Sequence, residues 1–162
     1  MVLDCYNLDM HADIADRLTK LNKQFYQTFA IQFAATRQRL QPGVMHILES
    51  IPPKAKILDL GCGNGELARQ LVQSGHHGQY LGLDFSQELL DVARAGCPDT
   101  PKVHFAQADL SNPDWHSQFP IRVSQFTTIF AFAALHHLPG RELHLKTFQK
   151  IHTLLPAGGR FI

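Results

Sequence analysis

One short stretch, residues 57–65, constrains the fold of this chain more than any other; it reads Ile-Leu-Asp-Leu-Gly-Cys-Gly-Asn-Gly. Four residues with a strand-like apolar face run into three glycines at alternate positions, and a helical pattern follows from Glu66. Glycine adopts backbone angles that are closed to other residues and lets a ligand approach the main chain. A helix that begins just beyond such a turn presents unpaired N–H groups. The stretch therefore predicts a ligand contact at the carboxyl end of a strand.

The rest of the chain alternates strand and helix patterns around this stretch. Strands are predicted at residues 55–60, 80–84, 102–107, 125–132 and from 160 onward. Helices are predicted at 11–40 with a break near Leu21-Asn22, at 42–50, 66–73, 86–95 and 142–155, with one possible helical turn at 112–115. Repeated strand–helix units predict an α/β fold with a doubly wound, mostly parallel sheet. Ligands of such sheets lie outside the carboxyl ends of the strands, where strand order reverses.

Two larger divisions follow from the same pattern. The chain stops three residues into the fifth predicted strand, so we expect a sheet that is truncated there and an N-terminal piece of a longer protein. Residues 42–162 hold all the strands and form the predicted ligand-binding domain, and residues 1–41 form a helical cap.

The long N-terminal helix carries a repeat of aromatic residues. Phe25, Phe29 and Phe33 recur every four residues and make one apolar stripe. We expect this stripe to pack on the body of the domain. The alternative is that the helix also closes over the ligand as a lid, with Thr36 and Arg37 supplying polar contacts.

The composition indicates a folded protein without a strong overall charge. Hydrophobic residues make up 44%, charged residues 18%, and the net charge is +1, so no global field draws the chain to nucleic acid or membrane. Three cysteines without a CxxC pair and ten histidines without ligand spacing predict neither a disulfide framework nor a metal site. Because a signal peptide and a membrane span are both absent from the pattern, we expect a soluble cytoplasmic protein.

Three carboxylates, Asp59, Asp84 and Asp109, lie at the ends of successive predicted strands. Glu66 stands where a dinucleotide-binding GxGxxG turn needs its third glycine, and Asp59 would repel a pyrophosphate but attract a cation. Asp84 suits the two hydroxyls of a ribose, and Asp109 suits the exocyclic amine of adenine. Together they describe a ligand made of adenosine with a cationic tail that resembles an amino acid.

These residues resemble the signature motifs of class I S-adenosylmethionine-dependent methyltransferases. The matching segments, in the order of that family, are residues 58–65, 83–84, 108–109, 135–138 and 154–159. The resemblance covers roughly residues 40–162. It implies a Rossmann-like fold, methyltransferase activity and S-adenosylmethionine as the cofactor.

Carried over position by position, the resemblance also implies a set of cofactor contacts. The methionine part would face Asp59, Gly61, Cys62, Gly63 and Gly65, and the region of the transferring methyl would lie beside Ala131 and Phe132. The ribose would be held by Asp84, with Phe85 next to it, and the adenine edge by Asp109 and Leu110.

A narrower resemblance involves residues 29–37, followed by Pro42 and the glycine turn. They are similar to the corresponding segment of the tRNA wobble-uridine carboxymethyl methyltransferases, which form a methyl ester on a modified uridine. The similarity implies a role in tRNA modification and a pairing of Arg37 with the carboxylate of the cofactor. The alternative is that Arg37 is an ordinary exposed cation at a helix end.

His136 and His137 are the candidate catalytic residues, because one of them could act as a general base. The alternative role for both is packing and loop closure. A methyl acceptor could be tRNA or a small metabolite, and an acceptor carboxylate would need no base. Two other functions remain open: a non-catalytic cofactor-binding or interaction module, and a nicotinamide oxidoreductase, which the missing GxGxxG disfavours.

Overall fold

The computed structural model of this chain describes residues 10–36, 39–98, 100–112, 114–118 and 126–162. In these residues the helices are α1 (Ala12–Thr36), α2 (Pro42–Glu49), α3 (Glu66–Gln73), α4 (Gln87–Gly96) and α5 (Arg141–Leu154). The strands are β1 (Ile57–Leu60), β2 (Tyr80–Asp84), β3 (Val103–Gln107), β4 (Thr128–Phe130) and β5 (Arg160–Phe161). Short 3-10 helices occupy Trp115–Gln118 and Leu135–His137. None of the described helices combines the length and the apolar character that crossing a membrane requires.

The strands form one sheet in the order β3-β2-β1-β4-β5, and every neighbouring pair is parallel. The chain first builds outward from β1 to β3 and then returns to place β4 on the other side of β1. Strand order therefore reverses between β1 and β4, which is where doubly wound sheets bind ligands. The predicted α/β fold with a doubly wound parallel sheet is confirmed.

The central strand β1 is buried along its whole length, as a parallel strand covered on both faces should be. Leu58 and Leu60 pack on one face of the sheet, in a cluster that includes Trp115 and the α5 residue Ile151. Ile57 packs on the other face, in a second cluster that includes residues of α2 and α3. Because side chains alternate along a strand, Asp59 shares the face of Ile57. A carboxylate is thus carried into an apolar layer.

The N-terminal helix differs from its prediction in two respects. Its one non-helical residue is Phe29, so the predicted break near Leu21-Asn22 was wrong. Phe25 and Phe29 remain 50% and 45% exposed, so the expected packing of these two rings on the body of the domain was wrong as well. The kink instead buries Ala30 against Leu89 of α4. The side chain of Phe33 lies outside the description, and so does Arg37 as a whole.

The predicted boundaries hold closely around the glycine turn and less well near β4. Helix α3 and strand β2 match their predicted ranges, and the Ser86 hydroxyl caps α4 by accepting a hydrogen bond from the Leu89 N–H. Strand β4 is only three residues long; Ala131 still donates its N–H to the Ile162 carbonyl, and the chain then turns away through Ala133, which has a positive φ of 52°. At the helical turn predicted at 112–115, the Trp115 N–H donates to the Asn112 carbonyl at 3.1 Å, and a 3-10 helix continues over Trp115–Gln118.

Candidate functional site

A cavity of about 510 Å³ lies at the carboxyl ends of the central strands and beneath α1. Its volume falls within the range of about 300–1,000 Å³ that is typical of small-molecule sites. The predicted site residues that line it are Asp59, Gly61, Cys62, Gly63, Asp84, Phe85, Asp109, Leu110, Phe132 and His137. Gly65, Ala131 and His136 are not part of its lining, and Arg37 lies outside the described residues. The sequence thus predicted most of the wall on the side of the sheet.

The glycine turn is fixed to the end of β2 by its own backbone. The N–H groups of Gly61 and Cys62 both donate to the carbonyl of Leu83, at 2.8 and 2.9 Å. Gly61 has a φ of +77°, and a Cβ added there would come within 2.5 Å of the Cβ of Ala134. Glycine is therefore required at this position both by backbone angle and by space.

Asp84 ties this turn to the start of α4. Its carboxylate accepts hydrogen bonds from the backbone N–H groups of Gly63 and Ser86, both at 2.9 Å. Burial raises the pKa of Asp84, against the opposing effect of these hydrogen bonds. A carboxylate offers about four acceptor positions, so these two hydrogen bonds and a further one from the Phe85 backbone still leave capacity for a ligand.

Asp59 is the most deeply buried of the three carboxylates, at 3% exposure. The hydroxyl of Tyr80 donates a hydrogen bond to it at 2.6 Å. Burial raises the pKa of Asp59 to about 7; the Tyr80 hydrogen bond opposes this rise and the charge of Asp84 adds to it. Tyr80 was not among the predicted site residues. Its signal was a hydroxyl at the start of the next predicted strand after the one that carries Asp59.

Cys62 in the turn and Glu66 directly after it are not candidates for a reactive thiolate or an unpaired carboxylate. Burial, together with the nearby Asp59 and Asp84, raises the pKa of the Cys62 thiol well above its usual value, so it stays protonated at neutral pH. Glu66 accepts hydrogen bonds from Arg69, at 2.6 Å, and from Gln70.

Asp109 lies after β3, at the boundary between the sheet and α1. It accepts hydrogen bonds from the backbone N–H and the hydroxyl of Ser111 and from the ammonium group of Lys23 on α1. Burial alone would raise the pKa of Asp109, but the hydrogen bonds from Lys23 and Ser111 outweigh it and lower the pKa. Asp109 is therefore ionised at neutral pH.

Helix α1 supplies a wall of the cavity that includes Thr36, named above as a polar contact in the alternative of a lid, together with residues that were not predicted. Thr19, Asn22, Lys23 and Tyr26 line the cavity and recur at the spacing of one helical face. The Asn22 amide donates to the carbonyl of His137 at 3.1 Å, and the Tyr26 hydroxyl shares a hydrogen bond of 2.7 Å with its Nε2. The sequence signal for this wall was the helical spacing of these polar residues. It was not used because the prediction for this helix was based on the phenylalanine repeat beside it.

The two histidines occupy different environments. His137 lies in the cavity wall and is held by α1, whereas His136 is exposed. Ala133, also in the wall, has a positive φ that a residue with a side chain rarely adopts. Among the described residues, no three histidine, cysteine or acidic side chains are grouped so that they could hold a metal ion.

Comparison with known proteins agrees with this geometry. Residues 57–159 match the family described as Methyltransferase domain. The chain is 32% identical over 134 residues to a trans-aconitate 2-methyltransferase of Acidovorax sp. (strain JS42), covering 83% of this chain and 45% of that protein. It is 26% identical over 140 residues to a tRNA (carboxymethyluridine(34)-5-O)-methyltransferase of Macaca fascicularis, covering 85% and 18%.

A solved structure of an S-adenosylmethionine dependent methyltransferase from Mesorhizobium loti aligns with a TM-score of 0.57 and 30% identity, covering 72% of this chain and 50% of that one. The chain thus spans less than half of the length of the two curated relatives. The resemblance to class I S-adenosylmethionine-dependent methyltransferases, and with it the cofactor class, is confirmed. With its family match extending over more than half of its residues, the chain belongs to the methyltransferase-domain family.

Proposed function

We propose that this chain binds S-adenosylmethionine in the cavity and transfers its methyl group to a carboxylate acceptor. The observation that carries the proposal is that Asp59, Asp84 and Asp109, from the ends of three adjacent strands, line one cavity together with the glycine turn. A ligand with hydroxyls, an amine and a cationic tail matches this acceptor-rich wall. The cavity volume and the spare acceptor positions on Asp84 are compatible with that ligand.

Each carboxylate has a role in this proposal. Asp59 and the glycine turn face the methionine part, Asp84 accepts from the ribose hydroxyls with Phe85 beside it, and Asp109 with Leu110 accepts from the adenine edge. Phe132 borders the methyl position. Ala131 and Gly65 do not line the cavity, so their roles are indirect and act through the residues that do.

Helix α1 acts as a lid over this site. Lys23 reaches Asp109 beyond β3, and Asn22 and Tyr26 reach His137 beyond β4, so the helix bridges the two sides of the cavity. A closed lid excludes water and holds donor and acceptor in a reactive orientation. The cap therefore belongs functionally to the site, although it precedes the sheet in sequence.

A carboxylate acceptor is supported by chemistry that the two kinds of relatives share. Their names specify a carboxymethyl group and trans-aconitate, both of which carry carboxylates. When bound, S-adenosylmethionine supplies a methyl group on a positively charged sulfur, which a carboxylate oxygen accepts without losing a proton. Lys23 and Arg39 line the cavity and are cations that can attract such an acceptor.

The histidines have a smaller role under this proposal. His137 lines the cavity and is the candidate general base for an acceptor that must lose a proton. His136 is exposed and outside the lining, so the catalytic proposal is restricted to His137. For a carboxylate acceptor, His137 instead shapes the wall through its contact with Tyr26.

Cofactor binding is tested by calorimetric titration of the folded chain with S-adenosylhomocysteine. Asp84→Asn should weaken binding by about 10- to 100-fold, because hydrogen bonds to a charged group contribute about 1.5–3 kcal/mol. Asp91→Asn on the exposed side of α4 is the matched control and should change the Kd less than twofold. A folded wild-type chain that does not bind, or equal effects of the two variants, would refute the proposal.

The acceptor class is tested with radioactive methyl groups. The chain is incubated with labelled S-adenosylmethionine and either trans-aconitate or tRNA that carries carboxymethyluridine. A methyl ester releases volatile methanol in mild base, whereas a methylated amine or ether does not. Base-stable product alone would contradict a carboxylate acceptor, and the two substrates distinguish the metabolite from the tRNA.

A further inference from the structure

Tyr80 makes a contact in the candidate site that the roles given above do not explain. It is the first residue of β2, is 1% exposed, and directs its hydroxyl to the carboxylate of Asp59 at 2.6 Å. Within the described part of the chain, it is the one side chain that donates a hydrogen bond to Asp59. A hydroxyl buried this deeply is costly without a hydrogen-bond partner, and so is a buried carboxylate. Tyr80 therefore needs Asp59 as an acceptor, and Asp59 needs Tyr80 as a donor.

The sheet register makes this contact possible. Tyr80 pairs with Ile57, two residues before Asp59, and both lie on the same face of the sheet. Gly82 stands opposite Asp59, and a Cβ there would come within 2.8 Å of the Cys62 sulfur and 2.9 Å of the Phe105 ring. The ring of Tyr80 is set edge-on to Phe105, with ring centroids 5.9 Å apart. The hydroxyl therefore has a fixed direction.

The other groups around Asp59 disfavour its charge. Asp84 at the end of β2 is a second carboxylate whose charge raises the pKa of Asp59, and Cys62 in the glycine turn is a protonated thiol that offers no compensating charge. Phe130 of β4, opposite Asp59 in register, is apolar and fully buried. The Tyr80 hydroxyl acts in the other direction, because its hydrogen bond lowers the pKa of Asp59, which burial raises to about 7.

We propose that Tyr80 is a positioning residue that holds the Asp59 carboxylate in place and in its charged form, so that it can receive the cationic amino-acid part of the cofactor. The inference rests on the proposed cofactor site. In this role Tyr80 does not touch the cofactor and acts only through Asp59. Its effect should therefore depend on the charge of Asp59, whereas an effect through packing would not.

The test compares the Kd of S-adenosylhomocysteine for wild type and Tyr80→Phe between pH 6 and 9.5. Removing a hydrogen bond to a charged group should move the Asp59 midpoint upward by about one to two pH units. For a shift of about 1.5 units, the ratio of the two Kd values is roughly tenfold at pH 7.5 and less than twofold at pH 9.5. Ionisation of the ligand is common to both proteins and cancels in the ratio.

A second readout needs no cofactor. Carbon-13 NMR of the aspartate carboxyl groups in the free protein should show the Asp59 midpoint moving upward in Tyr80→Phe. Tyr26→Phe is the matched control, because it removes a cavity hydroxyl whose described partner is His137, and it should leave the Asp59 midpoint in place. In the Asp59→Asn background, Tyr80→Phe should no longer change the Kd.

Two results would overturn the inference. One is a Kd ratio that stays constant with pH, which is what loss of packing alone would give. The other is an undiminished effect of Tyr80→Phe in the Asp59→Asn background. Failure of the proposed function would look different, since wild type itself would then bind no S-adenosylhomocysteine at any pH.

Discussion

Replacing Gly61 with alanine is expected to destabilise the protein through two separable effects. The first is the positive φ of +77°, which costs a residue with a side chain about 1–2 kcal/mol. The second is overlap, since the new Cβ would lie 2.5 Å from the Cβ of Ala134, and overpacking of this kind costs about 1–3 kcal/mol. We therefore expect Gly61→Ala to lower the free energy of unfolding by about 2–5 kcal/mol.

Two companion variants separate these effects. Gly63 also has a positive φ, of +54°, but a Cβ there would meet nothing within 4 Å, so Gly63→Ala should show only the cost of the backbone angle. Ala134→Gly removes the overlapping atom, and the next atom, the Cα of Ala134, would be 3.6 Å away in ordinary contact. The double variant Gly61→Ala/Ala134→Gly should therefore recover about 1–3 kcal/mol relative to the sum of the single variants.

Urea unfolding followed by tryptophan fluorescence measures the free energy of unfolding of wild type and of each of the four variants. Trp115 is the single tryptophan of the sequence and is 1% exposed in the core, so it reports global unfolding. A coupling energy between Gly61→Ala and Ala134→Gly below about 0.5 kcal/mol would refute the predicted overlap, because the stability effects of residues that do not touch add up to within about that amount. Gly63→Ala as damaging as Gly61→Ala would refute it too, since overlap would then contribute nothing.

Two further predictions concern charged groups. Lys23→Met weakens the contact of α1 with Asp109, so it should speed the dissociation of S-adenosylhomocysteine about two- to fivefold in stopped-flow measurements. Lys20→Met, on the exposed side of α1, is the control and should leave the dissociation rate unchanged. Equal dissociation rates for the two variants would contradict the proposed lid. The pKa of Asp59 rises from 3.8 to about 7 on folding, so between these pH values the folded state binds more protons than the unfolded state and stability falls as pH increases. Asp59→Asn should remove this pH dependence, and by pH 8 its free energy of unfolding, measured with urea, should exceed that of wild type by up to about 4 kcal/mol. Parallel curves of stability against pH for the two proteins would contradict the raised pKa of Asp59.

The fold was predictable because its strongest signals are local. The apolar run into Gly61 and the cap at Ser86 are properties of a few adjacent residues, and they set the strand–helix alternation directly. The end of β4 was not predictable in the same way. Residues 131–132 are as apolar as the strand, but the chain leaves the sheet after Ala131, whose N–H still donates to the Ile162 carbonyl. It then passes through a positive φ at Ala133, where no glycine marks the turn in the sequence.

The site was predictable on the side of the sheet and much less so on the side of the lid. Carboxylates at the ends of parallel strands must meet at one edge, so Asp84 and Asp109 could be assigned to a common cavity from order alone. The partners of these groups depend on tertiary placement. Lys23 reaches Asp109 across 86 positions in the chain, and the direction of Tyr80 depends on a register that the sequence does not specify.

The orientation of α1 connects these observations. Ile14, Leu18, Leu21 and Phe25 are exposed on one side of the helix, while the side toward the cavity is polar. Among the described side chains, the helix contacts the rest of the fold through hydrogen bonds of about 0.5–1.5 kcal/mol each, through the ring of Tyr26 against Phe85, and through the buried Ala30. A few such contacts amount to less than the about 5–15 kcal/mol that stabilises a whole domain. We therefore expect opening of α1 to require less free energy than unfolding of the sheet, which is what the proposed lid needs in order to admit and release a ligand.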